Sequence, residues 1–394
     1  MKIISINAGS SSLKFQLFNM DNEEVIVSGL FERIGIDSSC YTLKYNGEKI
    51  TEEIDLPDHT TAVNILLDKL VSLNIIKSLD EIDGVGHRVV QGGDKYDKSV
   101  IITDDVINDI ENLKELAPLH NPAGLLGIRA FKEALPEVKM VAVFDTSFHQ
   151  TMPRESYLYP VPYAWYRDYK VRKYGFHGTS HRFIVEQVKK LTGKDNLKVI
   201  SCHIGSGASI AAVDSGKCID TTMGFTPLAG IMMGTRSGDV DPSIIPYIME
   251  KEGKNASEVI DDLNKKSGLI GMSEVSSDYR DIQKGMSEGD EGCILANDKM
   301  IKTIVGYIAN YYVLLGGADV ITFTAGLGEN SIALRATIME KLSCLGIKVD
   351  NEANNCNGEI RKISADDSSA LVYVIPTNEE LMIAKDTLNL VQLV

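Results

Sequence analysis

Two arginines stand in frames of glycine and small residues. Arg88 lies in Gly84-Val85-Gly86-His87-Arg88-Val89-Val90-Gln91-Gly92-Gly93. Arg236 lies in Gly234-Thr235-Arg236-Ser237-Gly238-Asp239, shortly after Gly224-Phe225-Thr226-Pro227. Glycines let a backbone approach a ligand closely, and a guanidinium fork suits phosphate or carboxylate. Read structurally, Arg88 is a surface cation at a strand end, whereas Arg236 is too exposed in pattern for a core residue. Two such arginines without a P-loop lysine suit charge neutralisation around a transferring phosphoryl group.

Carboxylates and a histidine complete the set. Met140 to Phe144 is an uninterrupted apolar run that ends at Asp145. The run reads as a strand buried on both faces, and α/β sheets keep their ligands at the carboxyl ends of such strands. A helix cap or a core ion pair is the competing reading of Asp145. Tyr174-Gly175-Phe176-His177-Gly178-Thr179-Ser180-His181 sets His177 before a helix capped by Thr179 or Ser180. There it either donates to an anion or is a satisfied structural histidine. Near the C-terminus, Thr377 and Glu380 have capping-box spacing, which leaves Glu379 as a second carboxylate for a metal.

These side chains need a sheet to hold them. Ile3, Ile4 and Ile6 lead into Asn7-Ala8-Gly9-Ser10-Ser11-Ser12, and Phe15, Leu17 and Phe18 lead out. The pattern predicts a hairpin whose small turn residues offer backbone N–H groups to phosphate oxygens. Lys198 to Ser206 repeats Lys2 to Ser10 half a chain later, matching Lys, Ile, Ser, Gly and Ser. The repeat predicts two similar lobes facing one nucleotide, unless two ordinary hairpins match by chance. Val320 to Phe323 and Ala370 to Ile375 predict further strands, the first leading into Thr324-Ala325-Gly326-Leu327-Gly328-Glu329-Asn330. His120 lies between prolines in Pro118-Leu119-His120-Asn121-Pro122, and 151–172 reads as an irregular boundary segment.

Composition narrows the class. The chain has 394 residues, long enough for two domains, and a formal net charge of −15, which argues against a nucleic-acid partner. Its six cysteines are scattered without a CxxC pair, so reduced thiols fit better than zinc or disulfides, as in the cytoplasm. Ile304 to Phe323 carries Asn310, Gly316, Gly317 and Asp319, and reads as a buried helix, a Gly-Gly break and a core strand rather than a membrane span. GxxxxGK[ST], HRD, DFG, HExxH and GxSxG motifs are absent. The duplicated hairpin is the phosphate-handling design that remains.

Taken together, NAGSSSLKF, GHRVV, PLHNP, FDTSFH, YGFHGTSH, GFTPLAGIMMGTRSGD, TAGLGEN and PTNEE resemble the acetate kinase family, within the superfamily of sugar kinases, actin and the Hsp70 ATPase. The resemblance implies an α/β fold of two duplicated βββαβαβα lobes with a central cleft. The N-terminal lobe would span 1–148 with a C-terminal helix over 380–394, and the nucleotide-binding lobe 149–379. It implies ATP and acetate as substrates with Mg2+ as cofactor, Mn2+ being the alternative metal. Asp145, Arg88, Arg236, His177 and His120 would be catalytic, and Arg88, Val90, Leu119, Phe176 and Pro227 would hold the substrate. Asn7, Ser10, Ser12, Lys14, His203, Gly205, Ser206 and Gly207 would contact the nucleotide phosphates. Asp278, Tyr279, Arg280, Gly326, Leu327, Gly328 and Asn330 would surround the adenosine. Asn7, Asp145 and Glu379 would organise the metal. A homodimer follows from the resemblance, with modest support from Tyr307, Tyr311 and Tyr312 in an apolar helix, although the same helix would also serve inside its own lobe.

Two positions depart from the family pattern: Ser206 stands where Asn is usual, and Gln91 where His is usual. Ser206 donates one hydrogen bond over a shorter reach, which bears on nucleotide affinity and donor choice. A carboxylate acceptor is already nucleophilic, so the burden falls on alignment and charge neutralisation. Propionate or butyrate as acceptor, and a slow actin- or Hsp70-like ATPase acting as a binding module, are the competing readings. Paired arginines beside apolar residues count against the latter.

Overall fold

The computed structural model describes residues 1–118 and 120–393. The chain divides into two compact units, Met1–Gln150 with Asn378–Val394, and Thr151–Thr377. This division leaves Glu379 in the first unit.

The first unit is built on an eight-stranded sheet: β1 (Lys2–Gly9), β2 (Ser12–Asn19), β3 (Glu24–Glu32), β4 (Cys40–Tyr45), β5 (Glu48–Glu53), β6 (Ile82–Val89), β7 (Val100–Ile101) and β8 (Met140–Phe144). Their order is β5-β4-β3-β2-β1-β6-β8-β7. β1 and β2 pair antiparallel from Lys2↔Asn19 to Gly9↔Ser12, so the predicted hairpin forms around Ser10 and Ser11. β1 runs parallel to β6, and β6 to β8. All five residues of β8 are buried, which explains its unbroken apolar run. Helices cover both faces: Asn121–Ala134 packs on β1 and β6, and Glu379–Gln392 on β6, β1 and β8. Gly84 and Gly86 let the latter helix lie close, since a Cβ on Gly86 would stand 2.2 Å from Thr387 Oγ1.

The second unit carries six strands: β9 (Lys198–Ile204), β10 (Ala208–Asp214), β11 (Lys217–Thr221), β12 (Val320–Thr324), β13 (Arg361–Lys362) and β14 (Leu371–Val374). The order β11-β10-β9-β12-β14-β13 repeats the first unit's order β3-β2-β1-β6-β8-β7. The repeated Lys-Ile-Ser-Gly-Ser stretch thus begins the central strand of both sheets. The predicted helix, Gly-Gly break and core strand are also present. Helix Glu291–Leu314 ends before Gly316 and Gly317, which adopt φ of +66° and +111°, and β12 follows fully buried.

Two local expectations are corrected. The helix after His177 begins at Gly178, with His177 itself at the cap in a left-handed conformation (φ 58°). Thr179 and Ser180 therefore fall inside its first turn and are buried. The last helix is capped by Asn378, whose side chain accepts from Leu381 N at 3.0 Å, and not by Thr377. Thr377 is held elsewhere, its N–H on Glu329 Oε1 at 3.1 Å and its hydroxyl 2.7 Å from Ser180 Oγ. Among the described residues, no helix is long and apolar enough to cross a membrane.

Candidate active site

In the first unit, parallel pairing brings the carboxyl ends of β1, β6 and β8 side by side, and each presents one predicted residue. Asp145 follows β8 with its N–H on Val89 O at 2.9 Å, and its carboxylate is buried. Arg88 grips that carboxylate with two N–H groups, Nε to Oδ1 at 3.0 Å and Nη2 to Oδ2 at 2.6 Å. Its Nη1 donates to Asn7 Oδ1 at 3.4 Å. Arg88 is thus not a plain surface cation, because the bidentate pair fixes the plane of the guanidinium. The neighbouring carboxylate pushes the Arg88 pKa further up, chiefly through Asp145.

Glu379 opens the last helix beside this pair. Burial raises its pKa to about 7, Arg88 opposes that shift, and Asp145 and Glu380 add to it. Glu380 is engaged by Lys14 in an ion pair, so Lys14 has a protein partner within the unit. Ser10 is exposed and Ser12 half-buried at the hairpin turn. His59, which the sequence offered no reason to single out, braces this turn, its Nε2 lying 2.8 Å from Gly9 O. Val90 is half-buried after β6, and His120 is exposed at the start of helix Asn121–Ala134. Leu119 lies outside the described residues. Gln91 is fully buried, accepting from Gly93 N at 2.9 Å and tied through its backbone to Asn121.

In the second unit, the turn between β9 and β10 is the focus. A Cβ built on Gly207 would lie 3.5 Å from His177 Nε2 and 3.6 Å from Arg236 Nη1. Both cationic or donor groups therefore converge on the space that a side chain at 207 would fill. Arg236 Nη1 also donates to Pro227 O at 3.2 Å, and burial lowers the arginine's pKa. The ring of His177 stacks on that of His203 at 4.1 Å, and His203 Nδ1 is 2.8 Å from Ser180 Oγ. Phe176 is buried, and Pro227 half-buried.

The same turn opens onto a cavity of about 560 Å3. Gly205, Ser206, Asp278, Tyr279, Arg280, Gly326, Leu327 and Asn330 all line it, while His203, Gly207 and Gly328 do not. Gly328 is instead a packing position, 3.3 Å from Phe323 backbone were it to carry a Cβ, and its carbonyl accepts from Arg335 at 3.0 Å. Asp278 caps helix Tyr279–Glu288 and holds Arg280 Nε at 3.0 Å. These bonds, with Arg280 first, bring the Asp278 pKa down to about 2. Tyr279 turns its hydroxyl inward onto Asn297 Oδ1 at 2.7 Å.

Several residues that support this constellation have no local sequence signal. Gly268 (φ +63°) passes so close to the arginine loop that a Cβ would meet Met233 O at 2.1 Å and Arg236 O at 2.7 Å. Asp239 accepts from Gly230 N at 2.8 Å and from the Tyr307 hydroxyl, closing the loop that carries Arg236. Glu329 accepts from Ala325 N at 2.7 Å and holds that non-glycine residue at φ 64°.

Paired sheets of one strand order, each opened by a Gly/Ser hairpin, define a duplicated, actin-like α/β fold, and the donors around the second hairpin mark a phosphotransferase. The chain belongs to the acetokinase family, whose model matches residues 2–385. It is 56% identical over 391 residues to the acetate kinase of Bacillus subtilis, covering 99% of each chain. Among solved structures it is similar to the acetate kinase of Porphyromonas gingivalis, at 44% identity and a TM-score of 0.95 over 99% of both chains. It is also similar to a propionate kinase from Francisella tularensis, at 41% identity and a TM-score of 0.94 over 99% of both chains.

Proposed function

We propose that this chain transfers the γ-phosphoryl group of ATP reversibly to acetate, giving acetyl phosphate and ADP by direct in-line attack. The observation that carries the reading is the convergence of His177 Nε2 and Arg236 Nη1 over Gly207, on a turn whose neighbours Gly205 and Ser206 line a cavity of about 560 Å3. That volume falls in the range of small-molecule sites.

The acceptor carboxylate needs no general base, so the protein's task is to align it and to neutralise charge. In this reading Arg236 and His177 hold the transferring group, and His120 assists. Arg88, with its plane fixed by Asp145, orients the acceptor, and the resemblance would give Val90, Leu119, Phe176 and Pro227 the task of receiving its methyl group. Asn7, Ser10, Ser12, Lys14, His203, Gly205, Ser206 and Gly207 face the phosphates. Asp278, Tyr279, Arg280, Gly326, Leu327 and Asn330, which line the cavity, face the adenosine, and Gly328 packs behind them.

Asn7, Asp145 and Glu379 would hold Mg2+, with Mn2+ as a substitute. The donors fit, because all are oxygen and the metal keeps other positions for water and phosphate. A half-buried Glu379 raised to about 7 beside Asp145 is also a charge that a divalent cation relieves. When bound, the metal neutralises phosphate charge. The enzyme would work in the cytoplasm as a homodimer. Leu295 and Val313, near the two ends of helix Glu291–Leu314, are 57% and 73% exposed, with Asp298, Lys299, Lys302 and Asn310 exposed between them, and these apolar ends are what the helix offers a second copy. Tyr311, by contrast, is fully buried within its own unit.

The test is ADP formation with ATP, Mg2+ and acetate, trapping acetyl phosphate with hydroxylamine. ADP release should require acetate. An equal rate without acetate would establish the ATPase reading instead. Similarity to a propionate kinase motivates a panel of two- to four-carbon acids. One methylene is worth about 0.8 kcal/mol of burial, so the acetate assignment fails if propionate has the higher kcat/KM.

A further inference from the structure

A run of buried hydrogen bonds leads away from His177 into the core of the second unit. His177 Nδ1 is 2.9 Å from Ser209 Oγ. The same hydroxyl lies 2.8 Å from His181 Nε2, and His181 Nδ1 is 2.9 Å from Ser201 Oγ. Ser209, His181 and Ser201 are all fully buried. No step of the phosphoryl transfer described above uses them.

The chain of bonds has two directions, and they have opposite consequences. A serine hydroxyl has one hydrogen to give, and a neutral imidazole has one N–H and one bare nitrogen. In the first direction, Ser201 donates to His181 Nδ1, His181 Nε2–H donates to Ser209, and Ser209 donates to His177 Nδ1. His177 Nε2 then carries the hydrogen. In the second direction every donor reverses, and a neutral His177 presents a bare nitrogen at Nε2. That atom faces the space over Gly207, 3.5 Å from the Cβ position, with Arg236 Nη1 3.6 Å from the same point. An anion there needs an N–H, since a lone pair would repel it.

We propose that His181 is a positioning residue that, through Ser209, holds neutral His177 as the Nε2–H tautomer, so that a donor already points at the phosphoryl site before substrate arrives. The second ring nitrogen of a histidine sets what the first presents, as in other sites where an imidazole must donate. Here the device lies two hydrogen bonds from His177, buried between helix Gly178–Thr192 and strands β9 and β10, where water does not compete. The choice of tautomer rests on the phosphoryl-binding reading above, because the anion over Gly207 is what selects the direction, but its test by spectroscopy is independent of activity.

The first experiment uses the intact wild-type protein with 15N-labelled histidine. Long-range 1H–15N spectra, assigned with His177→Gln, distinguish a protonated from a bare ring nitrogen. The expected result is His177 with Nε2 protonated and Nδ1 bare, and His181 with the same tautomer. An Nδ1–H tautomer for His177 overturns the proposal whatever the activity. The second experiment compares His181→Leu with His181→Gln. Gln can place an amide N–H where His181 Nε2 donates to Ser209, and Leu cannot. Loss of one aligned donor at a charge-bearing transition state costs roughly 10²-fold in kcat, so His181→Leu should lose about that much with KM values changed less than threefold. His181→Gln should recover most of it. Equal losses in the two variants, or a Leu variant with full kcat, refute the relay. If His181→Leu does not fold, Ser209→Ala takes its place, with loss of the Nε2–H tautomer as the expected signature and its retention as the refutation. A protein with the expected tautomer that makes no acetyl phosphate would sink the acetate reading and leave the relay intact.

Discussion

Arg236 keeps its charge in a setting where burial lowers its pKa and where its Nη1 donates only to uncharged groups, Pro227 O and the Met233 sulfur. A cation held this way is ready for an anion, and its removal should affect the reaction more than the fold. Arg236→Ala should retain its melting temperature and ATP affinity while kcat falls by roughly 10²-fold or more. Full kcat in a folded variant would end its assignment. Ser206 lines the cavity beside this turn. Ser206→Asn, with its longer donor, should lower the KM for ATP and leave that for acetate unchanged. A change confined to acetate would detach this turn from the nucleotide. Glu379 allows a test by pH. Its folded pKa of about 7 lies above its ordinary 4.5, so the proton is bound more tightly in the folded state. Its contribution to stability is then fully present below about 4.5 and lost as pH rises through about 7. In EDTA, urea midpoints of the wild type should fall relative to those of Glu379→Gln between pH 5 and 8. Parallel curves would show that the carboxyl is not perturbed.

Elements set these residues by how closely they pack. Helix Glu379–Gln392 begins with the carboxylate pair and lies on β6, which carries Arg88. The approach depends on Gly86, where a Cβ would stand 2.2 Å from Thr387 Oγ1 and 2.6 Å from Ile383 Cγ2. Gly86→Ala should therefore cost about 1–3 kcal/mol of stability, as overpacking typically does. It should also weaken Mg2+ binding, because the helix that starts at Glu379 must move. Urea denaturation and metal titration of the same variant check both effects. An unchanged midpoint with native metal affinity would show that the helix yields at no cost.

For the whole molecule the testable property is assembly. Permanent homodimers bury large apolar surfaces, and the two ends of helix Glu291–Leu314 expose Leu295 and Val313. Light scattering should give twice the chain mass of 43.2 kDa. Val313→Asp should shift the population toward monomer at micromolar concentration. A monomeric wild type would remove the dimer from the reading, and a Val313→Asp dimer as tight as wild type would move the interface elsewhere. The net charge of −15 adds long-range repulsion between copies, so association should tighten from low to moderate salt.

The elements were legible wherever the signal was local. Alternation around two Gly/Ser turns marked both hairpins, and the unbroken apolar run at 140–144 and the short Val320-Ile321-Thr322-Phe323 stretch marked strands buried on both faces. The matching stretches at Lys2 and Lys198 showed the duplication, because equivalent strands at the centre of equivalent sheets face the same packing. Combined motifs were specific enough to reach the family. Local reading failed where several partners compete for one role. Asn378 caps the last helix because Thr377 is drawn to Glu329 and Ser180, partners 48 and 197 residues away. The same holds for chemistry. Arg88 and Asp145 are 57 residues apart and Ser209 and His181 are 28 apart, and nothing in the chain between them predicts the pairing. Residue types and short-range periodicity are written along the sequence. Hydrogen-bond partners, burial and pKa shifts arise only when parallel strands bring their ends together, and these the tertiary structure alone decided.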